Sequence, residues 1–293
     1  MELVKIALPL VIQGSVAALV LSVGLNATWD DAVYILRRPA LFGRAFLAIS
    51  VIVPLVAVLV VRTMPISVPS QIGVMLMALS PVPPLAPGKA LKLGGHKPYV
   101  YSLYIAFAVL AVAIVPVTLE VLERLFGASA EAPMGKLVGV VIFTVLAPFA
   151  IGMMLHARWP ARASAAATWV GRIALWLILI AFVALVARAW PAMVAMTGDG
   201  TLAAITAIVV AGVIAGHLLG GPDLADRVAL ANTAATRHPG IALMIATANF
   251  ADQRVTAIIL MFALVSMIVM AIYQAAMKRI AHVTPTPAAR AAP

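Results

Sequence analysis

Four side chains stand where ionisable chemistry is costly to place. Lys89 and Lys92 lie within SPVPPLAPGKALKLGGH, residues 80–96, and Arg237 and His238 within ALANTAATRHPGIALMI, residues 229–245. Both stretches interrupt runs apolar enough to enter a bilayer, and neither carries an acid that would neutralise its cations. Ionisable groups inside a membrane mark a path for a substrate, an ion or a proton. On a helix, residues three apart share a face, so Lys89 and Lys92 form a doubled cation, while the planar guanidinium of Arg237 offers paired donors. The chemistry this supplies is recognition of a carboxylate or sulfonate through charge-assisted hydrogen bonds. Lys89, Arg237, His238, Asn232, Thr236 and Gln71 are the candidate contacts, with Ser80, Pro87 and Thr233 beside them. A plainer account competes at each position. The lysines can snorkel toward Lys97 at the interface. Arg237 can hydrogen-bond carbonyls that a helix break exposes, and His238 can cap a helix rather than carry a proton.

The elements that must position these groups are broken helices. Pro84, Pro87 and Gly88 in the first stretch, and Pro239 and Gly240 in the second, are the expected break points. Proline removes a backbone donor and clashes with the preceding turn, and in hydrocarbon each freed polar group must be satisfied by protein or trapped water. Two interrupted spans at corresponding places in two halves of a chain are the pattern of a transporter binding site.

Composition sets the surroundings. Of 293 residues, 64% are hydrophobic and 10% charged, and the mean hydropathy is +1.11, so the solvent is the bilayer. The absence of cysteine removes disulfides, thiolate metal sites and cysteine nucleophiles. The net charge of +10 is spread along the loops rather than gathered on one face, which fits positive-inside bias and gives no case for nucleic acid. No phosphate-binding loop, metal-spaced cluster or nucleophile triad is recognisable, so an enzyme is not expected.

Hydropathy predicts an all-α polytopic membrane protein of about nine transmembrane helices. The spans fall near residues 3–25, 45–61, 68–93 (broken), 99–122, 137–155, 168–186, 201–219, 223–249 (broken) and 255–277. Arg37, Arg38 and Arg44, then Arg158 and Arg162, place their loops in the cytoplasm, so the N-terminus is expected outside and the C-terminus inside. Residues 1–283 form a single membrane domain, with repeats at 1–127 and 136–279 and a disordered cytoplasmic tail at 284–293. If these are inverted repeats whose first copy lacks its opening helix, the two broken spans are discontinuous helices that cross near the midplane. Smaller signals are expected to be structural. His217 stands on an apolar face, Gly212 and Gly216 allow close helix approach, and the methionines of Met75-Leu76-Met77 and Met153-Met154 are core or lipid filler more often than pocket lining.

The runs GLNATWDDAVYILRRP, IVPLVAVLV, PVPPLAPGKALKLGGH and ALANTAATRHPGIALMIATAN together resemble the bile acid:sodium symporter family over nearly the whole chain. The resemblance implies a panel and a core domain, inverted repeats, two crossing discontinuous helices and sodium-driven uptake of an organic anion. It also marks departures. Where the family offers a Ser-Asn-type pair to sodium, this chain has Ala86 and Pro87. Where it carries a glutamate shared by two sodium ions, this chain has Thr233. Arg237-His238-Pro239 replaces a Gln-Asn-Ser-like run. The acids fall in loops or at span ends, and neutral oxygens alone make a weak site for a hard cation.

The reading is a secondary-active carrier of a small or amphipathic organic anion by alternating access, with sodium coupling absent or altered and no cofactor. Its partners are the anion and the lipid bilayer, and homodimerisation is left open. The setting is a plasma membrane of the bacterial inner-membrane kind. Three alternatives stay open: a non-transporting receptor or sensor on a transporter fold, a sodium-coupled symporter with a rebuilt site, and a passive anion channel.

Overall fold

The computed structural model describes residues 2–92, 94–126 and 134–283, and every regular element among them is helical. In chain order these are α1 (Glu2–Gly24), α2 (Trp29–Val33), α3 (Pro39–Thr63), α4 (Val68–Leu79), α5 (Ala86–Lys92), α6 (Lys97–Phe126), α7 (134–158), α8 (Pro160–Ala195), α9 (Thr201–Leu219), α10 (Leu224–Ala235), α11 (Pro239–Asn249) and α12 (Gln253–Val283). Among the described residues, six helices are long and apolar enough to cross a membrane: α3, α6, α7, α8, α9 and α12. The protein is therefore an integral membrane protein. The proposed disordered tail at 284–293 lies outside the described residues.

Several boundaries differ from the hydropathy reading. The second long helix begins at Pro39 rather than near residue 45, because Pro39 opens it with a φ already suited to a first turn. The sixth expected span, 168–186, is the middle of a 36-residue helix that starts at Pro160. Polar and small residues at its ends lower local hydropathy without breaking the backbone ladder. A capping box starts the short α2. The Thr28 hydroxyl accepts from Asp31 N–H at 3.2 Å, and the Asp31 carboxylate accepts from Thr28 N–H at 2.9 Å.

Two helices carry a widened π turn just ahead of a proline: residues Leu47–Ile52 before Pro54 in α3, and Ile142–Leu146 before Pro148 in α7. The proline has no N–H to return to the turn behind it, and the wider turn relieves the ring's clash with that turn. In α3 this has a consequence at the site described below.

Helix α1 packs against α7 and α8, while α3, α4, α9, α11 and α12 share a separate apolar core with Met75, Ile208, Ile258 and Phe262 at its centre. Met75 and Met77 are fully buried there, so this methionine pair is core. Helix α9 lies unusually close to α10. A Cβ at Gly216 would stand 2.4 Å from the Cα of Ala231, and one at Gly212 would stand 2.8 Å from the carbonyl oxygen of Ala234. These glycines bring one rigid helix onto the back of the second broken segment.

Polar clamps fix the ends. The Asp199 carboxylate accepts from Ser67 N–H at 3.2 Å and from the Ser70 hydroxyl at 3.3 Å, and it also accepts from the Thr201 hydroxyl. This ties the start of α4 to the start of α9. Toward the other end, Lys97 pairs with Asp31 at 3.3 Å, and His96 stands 3.6 Å from the carboxylate of Asp226. His217, expected alone on an apolar face, instead meets the Tyr273 hydroxyl at 2.8 Å and so joins α9 to α12.

Candidate functional site

The first break covers residues 80–85, between α4 and α5, and the second covers residues 236–238, between α10 and α11. Both follow from proline chemistry. Ser80 and the Pro81-Val82-Pro83-Pro84 run cannot sustain an i to i−4 ladder, and His238 is held in an extended conformation by the Pro239 that follows it. Pro239 then opens α11 at a first-turn position where a missing N–H costs nothing.

The two breaks meet and satisfy each other. The backbone N–H of His238 donates to the Pro81 carbonyl at 2.9 Å and to the Ser80 hydroxyl at 3.1 Å. Asn232, fully buried on α10, donates from Nδ2 to the Ala86 carbonyl at 3.1 Å, which joins the second broken segment to the restart of the first. Its Oδ1 is buried without a partner. Thr233 and Thr236 turn their hydroxyls back to the carbonyls of Ala229 and Asn232, at 2.8 and 2.7 Å. The His238 ring accepts from Ile241 N–H at 3.3 Å through Nδ1 and so caps α11, the plainer of its two roles.

Arg237 is the centre of this arrangement. Its side chain is 5% exposed, donates to the Ile49 carbonyl at 2.8 Å and reaches the Ser80 carbonyl at 3.4 Å. The Ile49 acceptor is made available by the π turn in α3, where Pro54 has no N–H to compete for it. The guanidinium thus holds three segments together: α3, the first break and the second. It forms no ion pair among the described residues, and its Nε–H is buried without a partner.

A cavity of about 340 Å³ opens at this point, lined by Phe46, Ser50, Leu79, Phe107, Leu110 and Arg237 among others. Its walls are mainly apolar, and Arg237 is the charged group lining it. A single buried cation at the end of an apolar cavity is equipped to take one anionic head with a hydrocarbon body beside it.

The other expected contacts sit at varying distances from this centre. Gln71 is in the first turn of α4, where it donates to the Ile66 carbonyl at 2.9 Å. At about 1.5 Å of rise per residue it stands roughly 14 Å from Ser80 along the helix, so it does not reach the breaks. Lys89 is partly buried on α5, where its backbone N–H donates to the Leu85 carbonyl at 3.3 Å while its side chain makes no hydrogen bond or ion pair among the described residues, and Lys92 is exposed on the same short helix. Ala86 and Pro87 are buried in the first turn of α5, and Pro87 and Gly88 lie inside this helix, so that of the three break points expected in this stretch Pro84 falls in the break, beside Pro81 and Pro83. Two participants were not foreseen from sequence: the Ile49 carbonyl and Ser50. The available signal was Pro54 inside an apolar span, which frees a carbonyl that something must satisfy.

Comparison with known proteins adds the family. No curated protein matches the chain. The family model described as Sodium Bile acid symporter family matches residues 15–196, more than half the chain, from α1 through the first break to the end of α8. Its members are transporters rather than enzymes. On that match, the protein belongs to the sodium bile acid symporter family.

Proposed function

We propose that this protein is a secondary-active carrier of an organic anion, that Arg237 receives the anionic head, and that transport does not require sodium. The single observation carrying this reading is the placement of Arg237. It is a buried guanidinium without an acidic partner among the described residues, at the meeting of two helix breaks, on the wall of a mainly apolar cavity. A sodium ion near that charge would meet repulsion, and the side chains at 86, 87 and 233 bring at most one hydroxyl. The guanidinium already occupies the carbonyls of Ile49 and Ser80 that a cation would seek.

The wider architecture proposed with it has nine spans, the six long helices together with α1 and the two broken segments. These form two inverted repeats, with the broken segments crossing. The basic loops of the sequence put the N-terminus outside and the C-terminus in the cytoplasm of a bacterial-type inner membrane. Alternating access then moves the cavity from one side to the other around the breaks.

One observation favours a second reading. Asn232 keeps a buried, unpartnered Oδ1 on the face that meets α5, and such an oxygen is a ligand for a rebuilt sodium site. Uptake of radiolabelled anions into proteoliposomes, with sodium or choline as the external cation, separates the two. Equal uptake in both supports the sodium-independent carrier. Uptake only in sodium, lost in Asn232→Ala, supports the rebuilt site.

A further inference from the structure

Between Glu131 and Asp199 the chain has no acidic residue, yet Arg158, Arg162, Arg172 and Arg188 fall in this stretch, the last three on α8. None of the four takes part in an ion pair among the described residues. Helix α8 also turns more of itself to the bilayer than the other long helices do: 11% of its apolar stretch is buried inside the protein, against 33–50% for the other five. One side, with Ala163, Ala167, Ala174 and Ala181, packs inward. With about 3.6 residues per turn, the opposite side carries Arg162, Trp169, Arg172, Ile173, Trp176 and Ile180, all exposed. A helix of 36 residues is about 54 Å long, well beyond a hydrocarbon core of about 30 Å. Trp169 and Trp190 stand about 32 Å apart along it, and exposed tryptophans favour the two interfaces of a bilayer, so the core lies between them. Arg172 is then just inside the core, and Arg162 about 10 Å outside it. The Arg172 guanidinium folds back over the Trp169 ring, 5.1 Å from its centroid, toward the Arg162 side. Two cations thus converge on the interface from either side, with the small, exposed Ala165 and Ala166 between them.

We propose that this face of α8 binds an anionic phospholipid, with the phosphate held between Arg162 and Arg172 and an acyl chain lying along Trp169, Ile173 and Trp176. Forked guanidinium donors match phosphate oxygens bidentately. A phosphate at the interface supplies the counter-charge that this stretch of chain omits, while the lipid's tail stays in hydrocarbon against the apolar part of the same face. A zwitterionic headgroup would bring its own ammonium toward Arg162 and gain less. A second copy of the chain set face to face on this side would oppose arginines to arginines with no acid on either helix, which favours lipid over such a partner. No residue of α8 lines the cavity at the breaks, so this lipid is distinct from any transported anion.

The test is native mass spectrometry of the full-length protein in detergent with equal amounts of phosphatidylglycerol and phosphatidylcholine. Wild type should retain phosphatidylglycerol about tenfold more tightly, the gain typical of hydrogen bonds between charged groups. Arg162→Gln and Arg172→Gln should each remove most of that preference. Arg188→Gln, which takes the same charge from near the other end of α8, should leave it unchanged, and added inorganic phosphate should not displace the lipid. A second measurement needs no variant. In nanodiscs, tail-brominated phosphatidylglycerol should quench tryptophan fluorescence more than tail-brominated phosphatidylcholine at the same share, because Trp169 and Trp176 lie along the bound tail. Equal retention of the two lipids by wild type, equal losses in Arg172→Gln and Arg188→Gln, or equal quenching by the two brominated lipids overturns the site. Displacement by inorganic phosphate overturns the lipid assignment.

Discussion

Replacing Gly216 with alanine tests whether the second break is held in place by its neighbour. The added Cβ would stand 2.4 Å from the Cα of Ala231, 2.6 Å from its nitrogen and 2.6 Å from the carbonyl oxygen of Leu230. All three are backbone atoms, so no side-chain rotation relieves the contact. Ordinary carbon–carbon contact lies at about 3.5–4.0 Å, so α9 must withdraw from α10 by about 1 Å or more. Overpacking of this kind costs about 1–3 kcal/mol. Alanine also gains about 1 kcal/mol over glycine in a helix interior, and that gain must be removed from the comparison. Gly14→Ala does so, because a Cβ at Gly14 meets nothing within 4 Å. The stability difference between the two variants is then the packing term alone, about 1–3 kcal/mol, read as a lower Tm for Gly216→Ala in detergent-solubilised protein. Because α10 carries Asn232 and leads into Arg237, displacement should weaken anion binding as well. Equal Tm values for the two variants would refute the close-packing argument.

The clamp at Asp199 makes stability depend on acid. Partial burial raises its pKa, but the hydrogen bonds donated by Thr201 and Ser67 outweigh that and hold it at about 2, below the ordinary 3.8. A depressed carboxylate contributes stability above its unfolded value and loses it as pH falls through the folded one. Thermal melts should therefore show Asp199→Asn below wild type at neutral pH, with the gap closing between about pH 4 and about pH 2; a gap constant with pH would contradict this. Tyr273→Phe removes the hydroxyl that meets His217 at 2.8 Å and should cost about 0.5–1.5 kcal/mol of stability, with anion affinity unchanged.

Much of the fold was legible because prolines and hydropathy act locally. The apolar runs marked the long helices, and the proline and glycine clusters marked both breaks. Boundaries were less legible where apolar character and helical backbone part company, as in α8, whose ends are polar or small while the helix continues. The break carrying Arg237 was visible as a charge without an acid beside it. Its acceptors were not, because the Ile49 carbonyl comes from a segment 188 residues away and is freed by a π turn rather than by a side chain. Gln71 was legible as a polar residue on a broken span, but its distance from the break was not, because that distance depends on where the helix starts: Gln71 lies in the first turn of α4 and Ser80 just past its end.

The most direct test of the account is a thermal-shift titration of purified protein with cyclohexanecarboxylate in sodium and in choline buffers, on wild type and Arg237→Gln. A ligand that binds the folded state raises its melting temperature in proportion to occupancy. The account predicts the same stabilisation in both buffers for wild type and none for Arg237→Gln. Stabilisation that appears only in sodium, or that persists without the guanidinium, would contradict it.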